Sequence, residues 1–218
     1  MSQITCGGFR MAHYREILEA ALANGYRFAT FADHETEDVP KLILMRHDID
    51  LSIDNCVAFA HIEHERGVRA TYFVRLHARQ YNPFEYHTYR KLREIEGLGH
   101  ELALHYEPGF AAAVAEDEAQ MVRREKTMLE ALLDHPVISA SAHLPGKSGM
   151  TVNEANLDSF SLRYEAYTPR FMKGFKYLSD SNGRWREGCV CGHLGEYDRL
   201  HVLIHGFWWY DKSPVENY

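Results

Sequence analysis

Two aspartates two residues apart, Asp48 and Asp50, close the run Leu44-Met-Arg-His-Asp-Ile-Asp50. At a strand end, positions i and i+2 point the same way, so the two carboxylates would face each other. Such a pair repels unless a cation or a shared proton lies between them. A metal would relieve the clash by taking one carboxylate and leaving the other as a base. The competing reading is a pair of solvated strand-end acids, with Asp50 capping the next helix. His105 closes His100-Glu-Leu-Ala-Leu-His105, in which Leu102 and Leu104 share one face and Glu101, Ala103 and His105 the other. His143 follows Val137-Ile-Ser-Ala-Ser-Ala142 and precedes Leu-Pro-Gly. One Asp and two His from three strand ends are a common ligand set for Zn²⁺ and similar ions, with positions left for water and substrate. His205 runs into Gly206-Phe-Trp-Trp-Tyr210. It suits a general acid beside aromatic rings on which a sugar could stack, Phe207 being read instead as a plug of the core. Asp180, at another strand end, could orient an imidazole through its second nitrogen.

Two further motifs compete for attention. Cys189-Val-Cys191-Gly-His193 joins thiols to an imidazole, but the spacing is not a usual zinc pattern and has no second paired half. The doublet His47-Asp48 is similar to that of HD-type phosphohydrolases, where it sits on helices; here it follows a buried strand. The chain holds 14 histidines against 13 Tyr and 11 Phe, which invites a search for metal or proton-transfer sites. His61, His64, His77 and His87 fall on helical or loop patterns and are read as surface residues.

Alternating helical and extended patterns must position these groups. Helices are expected over 10–23, 52–66, from Asn82-Pro83 to about Glu96, and over 116–133, the last stopped by His135-Pro136. Thr151-Val-Asn-Glu154 reads as a capping box for a short helix. Strands are expected over 26–31, 41–45, 70–74, 100–105, 137–142, 164–167, 175–178 and 201–204. Strands recurring with helices between them are βαβ units, so the sheet is largely parallel, either an incomplete barrel or an open doubly wound sheet. In both, working residues gather at the C-terminal ends of strands.

The 218 residues predict one domain over 1–218, and 45% hydrophobic content excludes disorder. A net charge of −7 argues against nucleic acid or an anionic membrane as main partner. No apolar run is long enough to span a bilayer. Four cysteines are too few for a disulfide scaffold, and no secretory signal opens the chain, so a cytoplasmic location is expected.

Four segments resemble, in order, motifs of the polysaccharide deacetylase superfamily (NodB homology, carbohydrate esterase family 4). Leu44 to Asp50 resembles its TFDDG motif, as a divergent HDxD form, and Gly67-Val-Arg-Ala-Thr-Tyr-Phe-Val74 its GVxATFFV strand. Gly99-His-Glu-Leu-Ala-Leu-His105 resembles its GHE segment, and Leu203-Ile-His205 its final LxH. The resemblance implies a distorted (β/α)7 barrel and one divalent metal ion, Zn²⁺ or else Co²⁺ or Ni²⁺. It also implies hydrolysis of an acetyl group on a carbohydrate. By position Asp48 becomes the base, Asp50 a metal ligand, His105 the first metal histidine and His205 the acid, with Asp180 behind it. Two departures stand out. Gly109 occupies the position of the second metal histidine, and Ala142-His-Leu-Pro-Gly146 lacks the arginine that steadies the base. His143 is expected to supply the missing imidazole. Trp208, Trp209 and Tyr106 are expected on the substrate side. The expected activity is deacetylation of an amino-sugar-containing glycan precursor, either a sugar nucleotide or a lipid-linked intermediate of surface polysaccharide synthesis. The alternatives are a glycan-binding member with little or no turnover and a hydrolase of a non-carbohydrate amide.

Overall fold

The apolar runs assemble into one all-parallel sheet. In the computed structural model, which describes residues 6–36, 39–114, 116–145 and 154–217, its strands are β1 (Arg27–Ala29), β2 (Leu42–Ile49), β3 (Thr71–Val74), β4 (Glu101–Tyr106), β5 (Ser139–Ala142), β6 (Tyr164–Glu165), β7 (Lys176–Ser179) and β8 (Arg199–Ile204). The order is β6-β5-β4-β3-β2-β8-β7, with β1 paired to the first half of β2. β2 is central. It meets β8 over Leu42 to His47 and β3 over Arg46 to Ile49, and every residue in it is buried. That is the behaviour of a parallel strand covered on both faces.

Side-chain alternation divides the interior in two. Leu42 and Leu44 of β2 join Phe31, Phe73, Ala103, Phe171 and Phe175 in a core on one face of the sheet. Ile43, Met45 and Ile49 join the larger core on the other face, with residues of the principal helices α1 (Met11–Ala23), α2 (Asp54–His64), α3 (Tyr86–Gly97) and α5 (Glu118–Leu133). Arg46 and Asp48 share the parity of Leu42 and Leu44 and so face the concave side. Three shorter helices complete the α set: α4 (Pro108–Ala113), α6 (Leu157–Phe160) and α7 (Pro169–Lys173).

The expected α/β barrel is therefore present as a curled sheet, and among the described strands β6 and β7 form no ladder that would close it. Several boundaries differ from the sequence reading for local reasons. β2 continues through Arg46 to Ile49 because β3 and β8 supply partners along that length. α3 starts at Tyr86, where the Glu85 carboxylate accepts from Thr88 N, rather than at Asn82-Pro83. α5 ends on Asp134 in the left-handed conformation (φ 62°), one residue before His135-Pro136. The capping box falls on Thr151 to Asn153, outside the described residues; Glu154 opens a 3₁₀ turn leading to α6. Among the described residues no helix is long and apolar enough to cross a membrane.

Candidate active site

Strand parity delivers five side chains to one end of the curl. Asp48 and Asp50 leave β2 on the concave side, and His105 leaves β4 opposite Ser141 of β5. His143 is held just past β5 by its own N–H, which donates to Tyr106 O at 2.7 Å. The buried Glu165 steadies the same strand end, accepting from Ala142 N at 2.8 Å and from Tyr167 N at 2.7 Å. Burial raises the Glu165 carboxyl to about 7, against those two backbone donors. His205 follows β8, its N–H shared between the two Asp180 oxygens at 3.1 and 3.0 Å.

Three donor atoms form a near-regular triangle. Asp50 Oδ1 lies 3.1 Å from His105 Nε2 and 3.2 Å from His143 Nδ1, and the two nitrogens are 3.2 Å apart. A tetrahedral ion with bonds of about 2.0–2.1 Å needs ligand atoms about 3.3 Å apart, so this triangle fits one face of such a site. His105 Nδ1 donates to Ser141 O at 2.9 Å, which leaves the Nε2 lone pair facing the triangle. Burial would raise the Asp50 carboxyl. Hydrogen bonds from His105 and His143, then the charges of His105 and His205, instead hold it far below the usual carboxylate range. Burial works against the His105 imidazolium, but Asp48 and Asp50 outweigh it and raise that group. A carboxylate and two imidazoles, strongly coupled around one point, could hold a divalent cation.

Asp48 stands beside the triangle and outside it, with Oδ2 3.6 Å from His105 Nε2. Its partner is a residue the sequence reading did not single out. Arg46, fully buried, donates from Nε to Asp48 Oδ1 at 3.1 Å and from Nη2 to Oδ2 at 2.7 Å. The same Nη2 reaches Ser141 Oγ at 2.8 Å and Tyr167 OH at 3.1 Å, and the guanidinium lies against the rings of Phe73 and Tyr167. Burial pushes the Asp48 carboxyl up, but the Arg46 charge, followed by His105 and His205, brings it below its ordinary value. An arginine directly after an apolar strand run, two residues before an aspartate and on its face, was the signal available in the sequence. His47 takes the opposite face and meets Glu63 Oε1 at 2.7 Å, so the His47-Asp48 doublet is split across the sheet.

His205 and Asp180 form a dyad, Nδ1 to Oδ1 at 2.6 Å, and His205 Nε2 points back to Asp50 Oδ2 at 3.6 Å. Burial lowers the imidazolium, but the charge and hydrogen bond of Asp180, with Asp48 and Asp50, raise it to about 9. The second Asp180 oxygen accepts from Trp209 Nε1 at 2.9 Å. Here the expectation for the aromatics is corrected. Trp209 is 0% exposed and braces Asp180 from inside the core, where no substrate can stack on it. Tyr106 is 1% exposed and packs on Phe160 behind the sheet, because its parity is opposite to that of His105. Phe207, expected as the plug, is half-buried, and with Trp208 it lines a small recess beside Asp48, Asp50 and His205. The main cleft, about 470 Å³, is lined by the three triangle residues together with Tyr167, Tyr177, Ser179, Asn182 and Arg186.

The fold has relatives among solved structures. The chain is similar to a Streptococcus pyogenes deacetylase, PplD, in complex with acetate, with 14% identity over 87% of this chain and 80% of that one and a TM-score of 0.49. It is also similar to a mutant of BA3943, a CE4 family pseudoenzyme with restored enzymatic activity, with 14% identity, 78% of this chain covered and a TM-score of 0.50. The chain spans 58% of the length of that second protein, and the likeness is one of fold. No family model and no curated protein matches the chain.

Proposed function

We propose that the protein is a divalent-metal-dependent hydrolase that removes an acetyl or similar acyl group from an amino sugar of a glycan precursor. The observation that carries this reading is the Asp50–His105–His143 triangle, flanked by Asp48 on its arginine and His205 on its aspartate. The curled parallel sheet common to it and the CE4 family pseudoenzyme supports it, as do the four motif resemblances.

A Zn²⁺, Co²⁺ or Ni²⁺ ion held by Asp50 Oδ1, His105 Nε2 and His143 Nδ1 would polarise the acyl carbonyl and acidify a water. The chain's own groups supply the proton transfers. Asp48, kept ionised by Arg46, takes the proton of the attacking water. His205, kept protonated by Asp180, gives its Nε2 proton to the departing amine nitrogen. The two groups titrate on opposite sides of neutrality, the pairing that acid–base hydrolysis needs. Phe207 and Trp208, which line the recess beside Asp48, Asp50 and His205, would be the rings to touch a sugar, rather than the buried Trp209 and Tyr106.

The test is acetate release from N-acetylated amino sugars, free and as sugar nucleotides, by protein loaded with Zn²⁺, Co²⁺ or Ni²⁺. Asp48→Asn should lose turnover by at least about 10²-fold, the lower range of general-base contributions, while retaining the metal. Sugar binding with metal retained and no acetate released from any substrate would replace this reading with that of a glycan-binding protein.

A further inference from the structure

A second cluster of metal-ligating side chains lies outside the cleft. Cys6, in the segment before α1, and His13, in the first turns of α1, meet Cys189 and Cys191 of the β7–β8 connection. Their three sulfurs and the imidazole nitrogen all lie within 4.8 Å of one another, and His13 Nε2 is 3.4 Å from Cys189 Sγ. None of the four lines the cleft. We propose that Cys6, His13, Cys189 and Cys191 form a structural Zn²⁺ site that fastens the N-terminal segment to the β7–β8 connection.

Three features support a built site. Three thiolates and one imidazole complete a zinc tetrahedron, for which Zn–S bonds of about 2.3 Å require sulfurs about 3.8 Å apart. With all four positions filled by protein there is none for water, which makes the site structural and not catalytic. His13 Nδ1 faces Glu16 Oε2 at 2.9 Å, an arrangement that fixes the proton there and leaves the Nε2 lone pair toward the sulfurs. Gly7 is pressed onto the His13 ring so closely that a Cβ would meet His13 Cβ and Cγ at 3.0 Å, so the chain beside Cys6 reaches the site only because residue 7 has no side chain.

The histidine of the Cys189-Val-Cys191-Gly-His193 run is not a member. Its Nε2 faces Glu187 O at 2.7 Å. The missing half of the motif is at the other end of the chain, 176 residues from Cys189 in the case of His13. A zinc there would close a loop of most of the chain. It would also anchor the connection that, just before Cys189, carries Ser181, Asn182 and Arg186 along the cleft.

This inference is independent of the proposed hydrolase activity, and the test separates the two sites by ligand chemistry. Reduced full-length protein, stripped of metal under anaerobic conditions, is titrated with Co²⁺. Thiolate-to-cobalt charge-transfer absorption should appear, persist in His105→Ala and vanish in Cys191→Ser, which keeps the acetate-releasing activity if there is one. If Cys191→Ser does not fold, the wild-type protein serves: p-hydroxymercuribenzoate should release one equivalent of zinc from His105→Ala protein and from wild type alike. Absence of thiolate absorption on Co²⁺ titration, or loss of all bound zinc in His105→Ala, overturns the proposal. So does recovery of a disulfide among Cys6, Cys189 and Cys191 as the metal-free ground state of protein purified anaerobically.

Discussion

A buried guanidinium two residues upstream of Asp48 changes what that carboxylate can do. Without Arg46, Asp48 would be a buried acid beside Asp50, with only the charges of His105 and His205 to set against its burial. With it, the carboxylate is ionised and fixed by two parallel donors. Its stabilising contribution is present above the ordinary aspartate value of about 3.9 and is lost as pH falls through the lower folded value. Arg46→Met is expected to cost about 3–5 kcal/mol, as breaking a buried pair does, and to move the acid limb of the pH–rate profile upward. Arg46→Lys restores the charge without the two-pronged geometry and should recover only part of both, measured by thermal unfolding and by pH–rate profiles. The triangle yields a second expectation. His143→Ala and His105→Ala should each weaken metal binding by about tenfold or more. His100→Ala should leave it unchanged, because that ring is occupied elsewhere, between Ala60 O at 3.0 Å and Ala70 N at 3.2 Å. Competition against a chromophoric chelator reads all three. Metal retained by His143→Ala would return that histidine to a loop role and leave Gly109 uncompensated.

At the scale of elements, the sheet and the helices are tied together by one carboxylate. Glu63 of α2, wholly buried, accepts from Tyr14 of α1, from Tyr72 of β3 at 2.6 Å and from His47 of β2 at 2.7 Å. Burial raises this acid, but His47, by charge and hydrogen bond, and then His100 and Tyr14 bring it below its ordinary value. The sign follows: the contribution to stability is full above the unfolded glutamate value of about 4.3 and fades as pH falls through the folded one. Glu63→Ala should therefore cost about 3–5 kcal/mol near neutral pH, leaving His47 buried without its partner. Glu63→Gln should cost less and flatten the acid side of the stability curve, seen by urea unfolding across pH. How much of this was legible depends on range. Strand alternation, a local property, placed His105 inside and would equally have placed Tyr106 outside, had it been applied there. The closing of β2 at Met45 failed because its further length is set by β3 and β8, which sequence alone does not juxtapose. Arg46 needed only the parity rule. The role of Trp209 and the joining of Cys6 and His13 to Cys189 and Cys191 depend on packing between chain ends, for which no periodicity exists.

The whole molecule carries a net charge of −7 and, among its described strands, a seam between β6 and β7 that no ladder closes, and the two together bear on substrate choice. Tyr167, just past β6, and Tyr177 of β7 stand across that seam with ring centres 6.2 Å apart. The cleft continues from them along the 179–187 connection, where Arg186 is the one Lys or Arg among the described lining residues. An acidic protein repels a diphosphate-linked sugar at long range, so a local cation must hold it at short range. Arg186 is placed for that, since guanidinium matches phosphate oxygens in a two-pronged geometry. A charge-assisted hydrogen bond is worth about 1.5–3 kcal/mol, so Arg186→Ala should raise KM for a sugar nucleotide by roughly ten- to a hundredfold. The same change should leave KM for an uncharged N-acetylated sugar unaltered, and kcat for both, because Arg186 belongs neither to the triangle nor to the proton-transfer groups. Raised salt should weaken the nucleotide substrate alone, in parallel with the mutation. Equal KM values for both substrates, before and after the substitution, would mean that the charged portion of the precursor lies outside this cleft and that the seam receives the sugar alone.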